Sequence, residues 1–273
     1  MKHKLIKKVL MCEPTYFDTL DYAINPWMKP GTIDGAEAMV EWKNLIKAYQ
    51  SQDIKVEVIK QQKGVPDMVF ATDQGIALGK TVILSRFWCD ERKGETKYYR
   101  QWFEERGYTI KNLPENTYFE GNGDSYFWHD KLLIGVGYRA DQRTCQAISK
   151  IFNIEVVPLQ IIDPAFYHLD VGFLPLNETT AFYYPPAFSK KSREVLKKLV
   201  PNLLEFTDDE ANGFAANSVV TDHHVVHQSG NPTFKHKLQN LGYTSIEVEM
   251  GEFMKSGGGT HCLTNVLEEG WEN

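Results

Sequence analysis

Three groups of residues in this sequence could do covalent chemistry on a small molecule. Cys262 follows Gly257-Gly258-Gly259-Thr260-His261, a lone cysteine behind three glycines. Glycine lacks a Cβ, so such a loop lets a ligand approach its backbone, and a cysteine that only fills a core needs no loop of this kind. The thiolate is the nucleophilic form of cysteine, and a neighbouring positive charge favours it. Upstream, His168-Leu169-Asp170 joins a side chain suited to proton transfer near neutral pH to a carboxylate. Within a strand both would project from one face. Further carboxylates stand in Glu120-Gly121-Asn122-Gly123-Asp124 and in Pro66-Asp67-Met68-Val69-Phe70-Ala71-Thr72-Asp73. Read alone, Asp73 is a turn residue before Gln74-Gly75 and the Glu120 loop is an Asx/Gly turn. The full Gly-x-Gly-x-x-Gly of a nucleotide site is absent, as is His-Glu-x-x-His, and His223, His224 and His227 lack a zinc spacing.

Taken in this order, the motifs resemble those of the guanidino-modifying pentein superfamily: arginine deiminases, amidinotransferases, dimethylarginine hydrolases and arginine dihydrolases. The resemblance runs from about Met11 to the C-terminus. It implies an α/β fold, a five-bladed pseudo-symmetric ββαβ propeller with the site at its centre, and one catalytic unit over residues 1–273. It also implies roles. Cys262 matches the nucleophile, His168 the general acid/base and Glu120 the acid that orients it. Asp73 and Asp170 match a carboxylate clamp for a guanidinium, whose N–H donors lie along its edges. Asp67 aligns with an aspartate bordering the substrate. For a substrate carboxylate, Arg139 in Gly137-Tyr138-Arg139 is the first candidate and Arg92 in Arg92-Lys93-Gly94-Glu95 the second; both could equally be surface residues. Asn25-Pro26-Trp27-Met28 is a candidate flap. Two departures stand out: Thr72 replaces a glutamate of the dimethylarginine hydrolases, and Asp73 stands where the dihydrolases carry asparagine. The expected reaction is cofactor-free and metal-free hydrolysis of arginine or a close analogue. Amidino transfer to an amine, dihydrolysis to ornithine and a non-catalytic binding module are the rivals.

These residues need a scaffold, and the length of 273 residues with 42% hydrophobic content allows a substantial core. A net charge of −6 argues against nucleic acid as a partner. The lysines at 2, 4, 7 and 8 and those around Arg193 read as a solvated end and an exposed helix face. Cys12, Cys89, Cys145 and Cys262 are widely spaced and no signal-peptide core precedes them, which points to a reducing, cytoplasmic setting. No apolar run is long enough for a membrane span, and association into homo-oligomers is left open. Short apolar runs alternate with amphipathic stretches, as in α/β proteins. Expected helices cover 34–52, 97–106, 143–152, 190–199 and 231–241. Expected strands include Met68 to Phe70, Val171 to Pro175, and Gly75 to Leu78 paired with Thr81 to Ser85 across Gly79-Lys80. A repeat of about 50 residues is faintly visible.

Overall fold

The computed structural model describes residues 4–271, with side chains over 5–270; Lys2 lies outside the described residues. β1 (Lys4–Glu13) leads through α1 (Gly35–Gln50) to β2 (Lys55–Lys60), which runs parallel to it. The next unit is β3 (Gly75–Leu78), β4 (Thr81–Leu84), α2 (Thr96–Glu105) and β5 (Thr109–Lys111). β6 (Ser125–Trp128), β7 (Lys131–Val136), α3 (Gln142–Phe152) and β8 (Glu155–Gln160) repeat the pattern. After the short α4 (Leu169–Gly172) come β9 (Phe173–Pro175), β10 (Thr180–Tyr183), α5 (Lys190–Leu199) and β11 (Asn202–Glu205). A second short helix, α6 (Asp208–Asn212), precedes β12 (Val219–Thr221), β13 (His224–Gln228), α7 (Pro232–Asn240) and β14 (Thr244–Val248). Then α8 (Gly251–Met254) leads to β15 (Asn265–Trp271).

Among the described residues the strands form five sheets of three. In each, the middle strand has an antiparallel neighbour on one side and, beyond a helix, a parallel neighbour on the other. The first sheet takes its antiparallel member, β15, from the far end of the chain. Three of the hairpins are built alike, with two loop residues between the register pairs Leu78↔Thr81, Trp128↔Lys131 and Thr221↔His224. The first loop residue has a positive φ each time: Gly79 (58°), His129 (53°) and Asp222 (50°). That conformation matches the twist of the flanking strands, and the residue type announces it at Gly79 and, more weakly, at Asp222 in Asp222-His223.

The long helices were visible because their buried stripes follow the helical period. In α1, Ala38, Trp42, Leu45 and Tyr49 are buried on one face, and full burial of a leucine such as Leu45 contributes about 2 kcal/mol. Asp34 caps this helix, its Oδ1 accepting from the backbone N–H of Ala36 at 2.9 Å and Glu37 at 3.1 Å. The basic face of α5 is exposed at Lys190, Lys191, Lys197 and Lys198. Among the described residues no helix is long and apolar enough to cross a membrane.

Three local expectations are corrected. The strand expected over Val171 to Pro175 begins only at Phe173, because Val171 and Gly172 belong to the helical turn α4. Met68 to Phe70 is not a strand: Pro66–Val69 forms a 3-10 turn, closed by Met68 N–H to the Val65 carbonyl at 3.1 Å, with Pro66 presetting the backbone. Nor does His168-Leu169-Asp170 lie in a strand. His168 is extended (φ −110°, ψ 158°) and Asp170 lies in the helical turn α4. The two side chains therefore reach different neighbours.

Candidate active site

Asp73 and Asp170 are both buried, and each holds one carboxylate oxygen fixed while the other is unpaired. Asp73 Oδ2 accepts from Arg92 Nη1 at 2.5 Å, while Asp73 Oδ1 has no hydrogen-bond partner. Asp170 Oδ2 is fixed by Asn217 Nδ2 at 2.9 Å and His261 Nδ1 at 2.8 Å, and Asp170 Oδ1 has no partner. His168 Nδ1, 3.6 Å from Asp73 Oδ1, is also without a hydrogen bond. Each such buried polar atom costs about 1–3 kcal/mol. The two unpaired carboxylate oxygens beside a cysteine therefore suit a ligand with several N–H donors. Gly123 is needed here, because a Cβ on it would run into Asp73 Oδ1 and come within 3.0 Å of His168 Nδ1.

His168 Nε2 is 2.9 Å from Glu120 Oε2 and 4.0 Å from Asp124 Oδ1. Burial alone would lower the His168 pKa, but Asp73, Asp124 and Glu120 together raise it to about 9. Burial would raise Glu120; instead Arg139, 3.2 Å from its Oε2, and His168 draw it down to about 2. Asp124 is pushed up to about 8, first by burial and then by Glu120 and Asp73. At neutral pH this is an imidazolium held by an ionised glutamate, a group able to give a proton and take one back.

Cys262 is 2% exposed, and its Sγ lies 3.0 Å from Asn217 Nδ2 and 3.5 Å from Asp170 Oδ2. Burial pushes its thiol well above the usual range, and Asp170 and Asp73 add to the effect. The carbonyl of Cys262 accepts Thr72 N–H at 3.1 Å, tying the loop to the segment that carries Asp73. The three glycines are closely packed by the protein, and Gly257 also lines the cavity described below. At Gly259 a Cβ would meet Gln228 Oε1 at 2.7 Å and Asn217 Oδ1 at 3.1 Å.

Both arginines are buried, so neither is a surface residue. Arg92 donates to Asp73, to both oxygens of Glu95 and to the Asp67 carbonyl. Arg139 donates to Glu120 and, at 2.6 Å, to the Ile24 carbonyl, with its guanidinium 4.8 Å from the centre of the Tyr167 ring. Burial and Asp73 raise Asp67 to about 6, against Arg92 and a 2.9 Å hydrogen bond from Tyr22. A small cavity is bounded by Cys262, Asp67, Asp73, Arg92, Arg139 and Tyr167, with Ile24, Asn25 and Met28 over it. The candidate flap thus divides: Asn25 and Met28 line the cavity, whereas Trp27 is packed on Phe214 and bonded to the Ala165 carbonyl.

All eight residues singled out in the sequence gather here. Asn217, Glu95 and Tyr22 belong to the cluster without having been foreseen, and His261 was seen only as a neighbour of Cys262. Ala215-Ala216-Asn217-Ser218 carries no signal of its own, and only the fold brings it against the Cys262 loop.

A family described as N,N dimethylarginine dimethylhydrolase, eukaryotic, matches residues 15–268. The bifunctional arginine dihydrolase/ornithine cyclodeaminase ArgZ of Synechocystis sp. is 39% identical over 263 residues, 94% of this chain and 37% of that protein. This chain therefore spans little more than a third of that bifunctional relative. The N(G),N(G)-dimethylarginine dimethylaminohydrolase of Mycobacterium tuberculosis is 32% identical over 259 residues, covering 94% of this chain and 85% of the relative. Among solved structures, the substrate-bound N-terminal domain of a cysteine-to-serine ArgZ variant superposes with a TM-score of 0.92 at 38% identity, covering 96% of this chain and 98% of that one. A second variant of the same domain, covalently bound to a reaction intermediate, gives 0.92 at 37% identity over 96% and 97%. With the match spanning almost the whole sequence and the paired carboxylates, histidine and cysteine assembled at one point, the chain belongs to the dimethylarginine dimethylaminohydrolase family.

Proposed function

We propose that the protein is a hydrolase of arginine or a close guanidino analogue, working as one catalytic unit whose five sheets form a pseudo-symmetric propeller around the site. The unpaired oxygens of Asp73 and Asp170 carry this reading: two buried carboxylates, each with a free oxygen, suit the two N–H edges of one guanidinium. Seating that cation offsets both negative charges and puts a positive one beside Cys262, so the thiol gives up its proton to solvent as substrate binds. The thiolate attacks the guanidino carbon. His168, held by Glu120, gives its proton to the departing nitrogen, and ammonia leaves an S-alkylthiouronium. His168 then takes a proton from water, hydroxide adds to the same carbon, and the C–S bond breaks to leave a ureido product. Arg139 is the proposed partner of the substrate carboxylate. Arg92, four of whose five N–H donors are taken by its neighbours, positions Asp73 instead, and Asp67 borders the substrate. The buried free thiols suit a reducing, cytoplasmic setting.

A second reading, dihydrolysis to ornithine, has the support of 39% identity to a dihydrolase-containing protein. Asp73 weighs against it. A carboxylate pairs with a cationic guanidinium but holds a neutral ureido group less well, because charge assistance is lost. The first product should leave before a second attack. The test is incubation with a panel of guanidino compounds, with and without amine acceptors, and identification of products by mass. Citrulline and one ammonia per arginine is expected, with turnover lost in Cys262→Ser. Ornithine and two ammonia would replace the first reading by the second, and a new guanidino compound would identify a transferase.

A further inference from the structure

Asn217 sits where it can act on the sulfur directly. Its side-chain oxygen accepts the backbone N–H of Gly259 at 2.9 Å and of Cys262 at 3.1 Å. Backbone N–H groups only donate, so the amide orientation is fixed, and the NH2 must face the other way. There it makes two contacts, Cys262 Sγ at 3.0 Å and Asp170 Oδ2 at 2.9 Å. Both donors and both acceptor positions of the amide are filled. The main chain of Asn217 is joined to the same loop, its carbonyl accepting from Thr260 Oγ1 at 2.8 Å and from His261 N–H at 3.3 Å.

We propose that Asn217 is a further catalytic residue: one N–H stabilises the developing thiolate of Cys262, and the other fixes Asp170 so that its free oxygen stays turned to the guanidinium. The first bond is weak while the sulfur is a thiol and becomes charge-assisted once the proton has left. Its strength therefore rises in the state that attacks, which is the condition for speeding a reaction rather than merely binding substrate. The groups facing the sulfur are Asn217 from the segment before β12, Asp170 from α4, Asp73 from the Ala71–Gln74 turn, Tyr126 from β6 and Tyr167, just before His168. Both phenols stay protonated because burial raises them well above the ordinary range. Asn217 is the neutral donor that bonds the sulfur. Replacing it by aspartate keeps the shape and the acceptor for the two backbone N–H groups, but turns a donor towards sulfur and Asp170 into a third carboxylate.

This inference rests on Cys262 being the nucleophile. The experiment measures the pH dependence of iodoacetamide alkylation at Cys262, identified by peptide mass, with and without arginine, together with kcat and KM. In Asn217→Asp the alkylation midpoint should move up by at least about one pH unit and kcat fall by about a hundredfold or more, as on removal of a single preorganised donor. Asn217→Ala, which adds no charge, should shift the midpoint less but in the same direction, and serves if the aspartate variant does not fold. Midpoints equal to wild type in folded variants would overturn the proposal even if turnover fell, since a purely structural role leaves thiol ionisation unchanged. A shifted midpoint in a protein that turns over no guanidino compound would uphold Asn217 and overturn the proposed function.

Discussion

His168 has a pKa of about 9 in the unliganded site, above its ordinary value, so it is protonated at neutral pH and loses that proton as pH rises through about 9. If it is the acid of the first step, kcat/KM for arginine should fall about tenfold per pH unit beyond that point. Asp73 is the first of the charges that raise it. Asp73→Asn should therefore bring the alkaline limb to lower pH, besides weakening the cation clamp. A limb unmoved in that variant, followed by steady-state rates from pH 6 to 10, would contradict the assignment. At this scale much was legible: Cys262, His168, Glu120, Asp73 and Asp170 stood in motifs whose residue types suit the chemistry. The charge state was not legible, because it depends on desolvation and on distances such as the 3.6 Å between His168 and Asp73. Asn217 was invisible for a related reason. An asparagine after two alanines has no distinguishing neighbour in the chain, and its partners lie more than 40 residues away.

At the scale of elements, sequence served where periodicity is long and failed where geometry is local. Sixteen residues of α1 declare their buried face, whereas the turn at Pro66–Val69 and α4 are only four residues each, too short for a period to decide. Those two turns carry Asp67, His168 and Asp170 into the site. β6, β11 and the seven-residue β15 also escaped notice. The nucleophile loop is positioned by close contact, and Tyr49 of α1 secures its far end through a 2.7 Å hydrogen bond to Thr264. Gly259→Ala tests this, because the new methyl would press on Gln228 and Asn217. We expect a loss of about 1–3 kcal/mol in denaturant unfolding and slower alkylation of Cys262. Wild-type stability and reactivity together would show that the loop is slack.

In the whole molecule, five similar units were only faintly visible, because their shared feature is topology rather than residue identity. The hairpins at Gly79, His129 and Asp222 have one geometry and three different first residues. The first sheet joins β1 to β15, with Lys4 opposite Trp271, so the two ends of the described chain lie side by side. A permuted chain with these ends linked and new termini opened at Gly79-Lys80 should fold and turn over arginine at a rate within about tenfold of wild type, since exposed turns tolerate such cuts. Circular dichroism and kcat would check it, and an unfolded permutant would mean that the order of synthesis matters to assembly.

The position of Cys262 along the chain has a temporal meaning. Asp73, Glu120, His168, Asp170 and Asn217 all precede it in the sequence, so a polypeptide made from its N-terminus acquires these surroundings long before the proposed nucleophile. On the proposed mechanism the nascent protein turns over no guanidino compound until residues 257–264 have emerged and settled against Thr72 and Asn217. Reactivity thus arrives last, after the surroundings that restrain it.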